Sequence, residues 1–151
     1  MTIRKISIRS LDIQREFNMK LIPPSKVEVR MTSDKGWGVF ATDYIYEGEI
    51  IEETPLITLP IDVKVYTDLL NDYRFNWPRV DDPLEMVLPM GYGCTYNHSE
   101  DNNAVWEDHP EYKAFQFIAI RDIEPGEEVC TYYGDEMYWS EGREEVGNNL
   151  K

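Results

Sequence analysis

Cysteine, positive charge and long hydrophobic runs are all scarce in this chain. Only Cys94 and Cys130 occur among 151 residues. Two thiols close at most one bridge, which excludes a disulfide framework and makes a reducing compartment the default. No stretch of 18 apolar residues is present, so no spanning helix is expected. Met1 to Ser10 alternates polar and apolar residues, unlike the continuous apolar core of a secretory signal. The expectation is a soluble intracellular protein, cytoplasmic or nuclear, without a membrane partner. The sequon Asn97-His98-Ser99 is accordingly not read as a glycosylation site. Repeats and low-complexity tracts are also missing.

The shortage of basic residues is uneven. There are 15 Lys and Arg against 29 Asp and Glu, a formal charge of −14. Residues 1–30 hold seven basic and three acidic residues, a balance of +4, so residues 31–151 carry −18. Such a field repels phosphate backbones and attracts cations. Direct binding of nucleic acid is therefore not expected, and a basic protein or peptide is. Solubility alone explains the charge about equally well. Hydrophobic residues make up 42% of the chain, a globular composition, and the length suits one domain. The 10 Tyr, 5 Phe and 4 Trp could fill a core or line a channel, and composition favours the core.

Pro23-Pro24-Ser25 separates a basic N-terminal extension from the rest. Within the extension, Ile3, Ile6 and Ile8 suggest a strand, and Ser10 could cap a short helix through Lys20. Beyond Pro24, alternation at Val27, Val29 and Met31 predicts a strand, and Val39-Phe40-Ala41 predicts its partner. Further strands are expected at Glu49 to Glu53, Leu56 to Leu59, Met86 to Leu88, Ala114 to Ile120 and Val129 to Tyr133. Val63, Tyr66, Leu69 and Leu70 fall at helical spacing within Asp62 to Tyr73. Glu124-Pro125-Gly126-Glu127 has the type II turn signature, and Tyr46-Glu47-Gly48-Glu49 keeps its glycine. Short strands joined by tight turns indicate a mainly β domain with one or two short helices.

Three segments are poorly explained as plain scaffold. In Lys35-Gly36-Trp37-Gly38 a glycine on each side of a tryptophan lets backbone approach a ligand while the ring covers one face. A tight hairpin turn explains the same residues. Gly91 to Ser99 is dense in hydrogen-bonding side chains. In it Asn97 can donate and accept, and His98 is most often a satisfied structural residue at such a position. Gly126 to Asp135 ends in adjacent tyrosines, Tyr132 and Tyr133, then Gly134, with Tyr138 and Trp139 beyond. A zinc site from Cys94, His98, His109 and Cys130 has no recognised ligand spacing.

Together and in this order, the segments resemble the SET family of protein lysine methyltransferases, most of all its smallest, viral-type members. The resemblance runs from Val27 to Trp139. It implies a β-clip of small sheets with a C-terminal pseudoknot, in which the last segment threads under a preceding loop. It divides the chain into an extension (1–25), a SET domain (26–140) and a tail (141–151). It implies S-adenosylmethionine as cofactor, bound by Lys35, Gly36, Trp37, Gly38, Asn97, His98, Tyr133 and Trp139. Tyr133, just before Gly134, matches the catalytic tyrosine. The departures are specific. Cys94-Thr95 stands where many members have Arg-Phe, and Glu100 where zinc-dependent members have cysteine. No cysteine follows Cys130, so no metal is expected. Thr131 stands where an aromatic often limits methyl number.

These residues suit methyl transfer to lysine. A free lysine amine has a pKa of about 10.4 and must be neutral to attack. Aromatic walls from Tyr92, Tyr96, Tyr132 or Tyr133 would desolvate the ammonium and orient its chain by cation–π contact. Tyr133, Tyr96 and Tyr92 are therefore the candidate catalytic residues. A histone tail is one candidate substrate, and a homodimer is allowed. The rivals are an inactive SET-like module that binds basic peptides and an acidic β-protein that only mediates assembly. Retention of Asn97, His98 and Tyr133 together argues against the first, and the motifs argue against the second.

Overall fold

The computed structural model describes residues 20–59, 73–81 and 83–134, and every regular element among them is a strand. The extension before Lys20, the helical pattern of residues 62–72 and the segment from Asp135, with Trp139, lie outside the described residues.

Among the described residues nine strands form two sheets. They are β1 (Val27–Met31), β2 (Trp37–Ala41), β3 (Ile50–Leu59), β4 (Phe75–Trp77), β5 (Glu85–Pro89), β6 (Asn97–His98), β7 (Ala104–Asp108), β8 (Ala114–Ala119) and β9 (Glu128–Thr131). One sheet has the order β1-β2-β9-β6 and the other β4-β5-β3-β8-β7. The expected alternation holds in β2 and, in β1, for Val27 and Val29, which pack on the core, but not for Met31, which is exposed. Val39 and Ala41 point into the core, while Arg30 lies over the Phe40 ring on the outer face. Tyr96, Phe115, Phe117 and Ile51 join Val39 in that core. Among the described residues no helix is long and apolar enough to cross a membrane.

Both turns form as read. The Glu127 amide donates to the Glu124 carbonyl and the Glu49 amide to the Tyr46 carbonyl, with Gly126 and Gly48 at positive φ. Two expectations needed correction. Glu49 to Glu53 and Leu56 to Leu59 are one strand, not two. β3 pairs with β8 through Pro55 and with β5 from Leu56, so the chain changes partner without breaking. Pro55 sits at that changeover, where its carbonyl still accepts from the Met90 amide. The last strand stops at Thr131 rather than Tyr133, because the Tyr133 amide donates to His98 Nδ1 instead of a ladder carbonyl.

β6 and β9 run parallel, pairing Asn97 with Cys130 and His98 with Thr131. Parallel neighbours need a long crossover, and β7 with β8, in the other sheet, supply it. This arrangement joins the second and third motifs, as the pseudoknot requires. Passage of the chain beyond Gly134 lies outside the described residues.

The junction is held by Asn103, a buried residue that spacing did not single out. Its Nδ2 donates to the Glu128 carbonyl at 2.7 Å, and its Oδ1 accepts from the Cys130 amide at 2.9 Å. Its own amide donates to the Cys130 carbonyl. Asn103→Ala would leave two buried backbone groups of β9 unpaired, at a cost of about 2–4 kcal/mol. Urea unfolding should show that loss with an unchanged m-value. A change below about 0.5 kcal/mol, the size of an ordinary surface substitution, would mean that Asn103 does not hold β9.

Candidate active site

The first motif serves both of its possible uses. Gly36, at φ 78°, closes a hairpin in which the Thr32 amide donates to its carbonyl at 2.7 Å and the Lys35 amide donates to Thr32 Oγ1. The turn throws Lys35 across to the second motif, where its Nζ lies 3.4 Å from the His98 carbonyl. Trp37 is 60% exposed, an uncovered aromatic face beside the site. Gly38 is where neighbouring side chains crowd the backbone. A Cβ there would lie 2.7 Å from Glu128 Oε1 and 2.9 Å from Asn97 Nδ2.

Asn97 is oriented by its neighbours. Its Nδ2 donates to the Trp37 carbonyl at 3.1 Å and to Glu128 Oε1 at 2.7 Å. Both partners are acceptors only, so the amide nitrogen must face them and the amide oxygen faces away. Among the described residues no donor is assigned to that oxygen. Glu128 is thus the group that sets Asn97. Its charge is partly offset by Lys35 Nζ, 4.0 Å from Oε2.

Tyr133 meets the second motif at two points. Its hydroxyl donates to the Tyr96 carbonyl at 2.5 Å, and its amide donates to His98 Nδ1 at 3.1 Å. His98 is buried, with Nε2 3.3 Å from Glu100 Oε1 and its ring against Tyr132 and Tyr133. The histidine therefore has the structural role that a lone histidine most often has, and it fixes where Tyr133 begins.

The structure brings together Lys35, Gly36, Trp37, Gly38, Asn97, His98 and Tyr133. Tyr96 sits differently from a channel wall: its ring is 2% exposed and stacks on Phe117 with centroids 4.3 Å apart. What it offers Tyr133 is its carbonyl. Tyr92 is half-buried against the core, and Tyr132 is 40% exposed. Thr131 is fully buried, and its carbonyl accepts from the Ser99 amide.

Burial shapes the titration of the site. It pushes the Cys94 and Cys130 thiols up to about 11, Cys94 helped by the Glu52 charge and Cys130 by Glu128. Both cysteines are free and remain thiols at neutral pH, so neither is a ready nucleophile. Burial also raises the Glu52 carboxyl to about 7. Among the described residues no three His, Cys, Asp or Glu side chains converge as a metal site requires.

Comparison with known proteins agrees with this geometry. A histone-lysine N-methyltransferase of Schizosaccharomyces pombe, specific for lysine 37 of histone H3, is 29% identical over 121 residues. The match covers 78% of this chain and 79% of that protein. A crystal structure of a candidate histone methyltransferase from Plasmodium falciparum superposes with a TM-score of 0.62 at 28% identity. It covers 76% of this chain and 97% of the other. A sequence model of the SET domain matches residues 36–134, from the first glycine of the hairpin to the glycine after Tyr133. With most of the chain matched in sequence and fold, the protein belongs to the SET-domain family.

Proposed function

We propose that this chain methylates a lysine on a basic protein tail, with S-adenosylmethionine as donor. One observation carries the reading: the parallel β6/β9 pair sets the Tyr133 hydroxyl beside a Gly38–Asn97 cradle whose amide oxygen faces outward. The residues fit the donor. Asn97 Oδ1 suits the α-ammonium of its amino acid end, Gly38 leaves room for the Asn97 and Glu128 side chains that pack over it, and exposed Trp37 offers a face to an aromatic ring. When bound, S-adenosylmethionine supplies a methyl carbon on a sulfonium, whose C–S bond breaks as the lysine nitrogen forms its C–N bond.

The chain's own residues position and desolvate. The Tyr133 proton is committed to the Tyr96 carbonyl, so its oxygen is presented as an acceptor and not as a base. It holds the amine in line while Tyr132 and Tyr92 shield it from water. Alignment of this kind supplies roughly 7–11 kcal/mol of barrier reduction. Apolar surroundings would lower the amine's affinity for its proton, which leaves to solvent before attack. Residues 26–140 form the catalytic domain on this reading, with 1–25 and 141–151 as flanking segments. Both relatives point to a histone tail as the substrate, which would place the protein in the nucleus.

Titration with S-adenosylmethionine, followed by methyl transfer to a Lys/Arg-rich peptide, tests the function directly. Binding without transfer would identify an inactive peptide-binding module. Tyr133→Phe should cut turnover by about 10²-fold while donor affinity changes little. Near-normal turnover by that variant would remove Tyr133 from the catalytic role. Asn97→Ala should raise the donor's Kd by about 10-fold, near 1.4 kcal/mol. If Asn97 only closes the loop, the variant will lose thermal stability and bind normally once folded.

The acidic field gives a further expectation. Raising salt from 0.01 M to 0.15 M shortens the screening length from about 30 Å to about 8 Å. The Michaelis constant for a basic peptide should climb across that range, and donor affinity should stay nearly flat. Glu100 and Asp101, exposed beside His98, are the acids to neutralise. Asp108, by contrast, is tied to the Arg79 amide. Indifference of the peptide's Michaelis constant to both salt and Glu100→Gln/Asp101→Asn would leave the charge as a solubility feature.

A further inference from the structure

A carboxyl group that plays no part in the site described above lies directly beneath it. Glu52 sits on β3 at a register shift, where an irregularity between Ile50 and Glu52 turns consecutive residues inward. Residues 51–54 are all buried, and Glu52 is 0% exposed. Its neighbour Glu53 is buried too, but fully served. Glu53 accepts from the Ile22 amide and Gln116 Nε2, and His109 Nε2 lies 3.2 Å from it. Glu52 has no such provision. Its Oε2 accepts one long bond from the Tyr92 amide at 3.3 Å, and its Oε1 completes none. Among the described residues no cation offsets it.

Its surroundings are all parts of the second motif. Gly91 runs over the carboxyl so closely that a Cβ would lie 2.9 Å from Oε2. The Tyr92 amide, the Cys94 thiol and the Tyr96 hydroxyl are the remaining groups that feel its charge. The Tyr96 hydroxyl is itself buried without a completed hydrogen bond. Two buried polar atoms without a completed hydrogen bond thus neighbour each other, an arrangement that proteins ordinarily avoid. Tyr96 is also the residue whose carbonyl receives the Tyr133 hydroxyl. Its ring, pinned against Phe117, links the two ends rigidly.

We propose that Glu52 is a positioning residue of the active site, acting on Tyr133 through Tyr96 and the Gly91–Tyr92 backbone. This rests on the methyltransferase reading above and extends it to a residue outside the three motifs. The ionised carboxyl draws the Tyr92 N–H and Tyr96 O–H toward it, which seats the loop and sets the Tyr96 carbonyl against Tyr133. The protonated carboxyl loses most of that pull. Burial holds its pKa near 7, so the change falls within the working pH range. The sign for stability is the opposite. A carboxyl whose folded pKa is raised stabilises the fold below its unfolded value near 4.5, and loses that contribution as pH rises through about 7. The form that seats the loop is therefore the form that costs stability.

The test is turnover against pH for the wild-type protein, Glu52→Gln and Tyr96→Phe, with saturating donor and peptide. Wild-type turnover should rise through a limb near pH 7, below the limb of the substrate amine. Glu52→Gln should lose the lower limb alone and turn over about 5–10-fold more slowly at pH 8, less than the roughly 10²-fold that a 1 Å misplacement can cost. Its donor affinity should stay within about twofold of wild type, as for a residue outside the binding contacts. Its melting temperature should rise relative to wild type as pH increases from 5 to 8. Tyr96→Phe keeps the ring stack and the carbonyl, and should lose the same limb, so the proposal stays testable if Glu52→Gln folds poorly. A limb near pH 7 that survives in either variant overturns the proposal. The ring signals of Tyr133 in ¹³C-tyrosine-labelled protein give a readout independent of activity. They should titrate near pH 7 in wild type and not in Glu52→Gln. That result would stand even if no basic peptide were methylated, whereas a pH-silent Tyr133 would overturn the coupling while leaving the enzyme's function intact.

Discussion

Everything in the site depends on β9 lying between β2 and β6. Alone, a two-residue parallel pairing is a weak structure, because it offers few ladder bonds and parallel pairs are less stable per residue than antiparallel ones. The Asn103 side chain makes up the deficit by bonding the backbone of β9 at Glu128 and Cys130, one residue on either side of Val129. Val129 itself is fully buried and opposite Val39. Apolar packing thus fixes which face of β9 points inward, and the amide fixes its position along the chain. A slip of one residue would move Glu128 from the Asn97 amide and turn its side chain to the other face of the sheet.

The second dependence is electrostatic. Asn97, Glu128 and Lys35 form one chain of contacts linking the first hairpin, β6 and β9. Each member limits what the next can do. Glu128 and the Trp37 carbonyl consume both Asn97 donors, and Lys35 tempers the Glu128 charge. A site built this way is preorganised before any ligand arrives, so less binding energy would be lost in ordering it.

Much of the fold could be read directly from the chain. β1 and β2 announce themselves by alternation, and the Pro-Gly turn before β9 by its dipeptide. β6 could not be found that way, since two residues of Asn-His carry no strand signal and acquire one only from a partner some thirty positions on. The single long β3 was missed because Pro55 reads as a breaker unless the change of partner is known. The site divides similarly. Asn97, His98, Gly38 and Tyr133 were singled out through the resemblance. Glu128 and Asn103 were not, since a charged residue and an amide near turns look like solvated surface. Glu52 did leave a mark, as a pair of acids at the end of an apolar run, but only the register shift shows that both acids turn inward.

Substrate charge places opposite demands on the surface and on the channel. A lysine tail is drawn in by negative potential, and attraction of that kind works over several ångströms even at physiological salt. Yet the amine must reach the methyl uncharged. One ionised carboxylate 4 Å away, at an effective dielectric near 20, would favour the ammonium by about 4 kcal/mol, near three pKa units. Acids are therefore useful at the rim and damaging beside the reacting nitrogen. The structure respects that division. Glu100 is exposed and bonded to the far nitrogen of His98, while Glu128 is spent on Asn97 and Lys35. The Tyr133 hydroxyl donates to a carbonyl, and the Tyr133 amide and ring meet the His98 imidazole, so these contacts bring no carboxylate to it. A strongly acidic protein can in this way attract a cation from a distance and still let it lose its proton where the methyl is transferred.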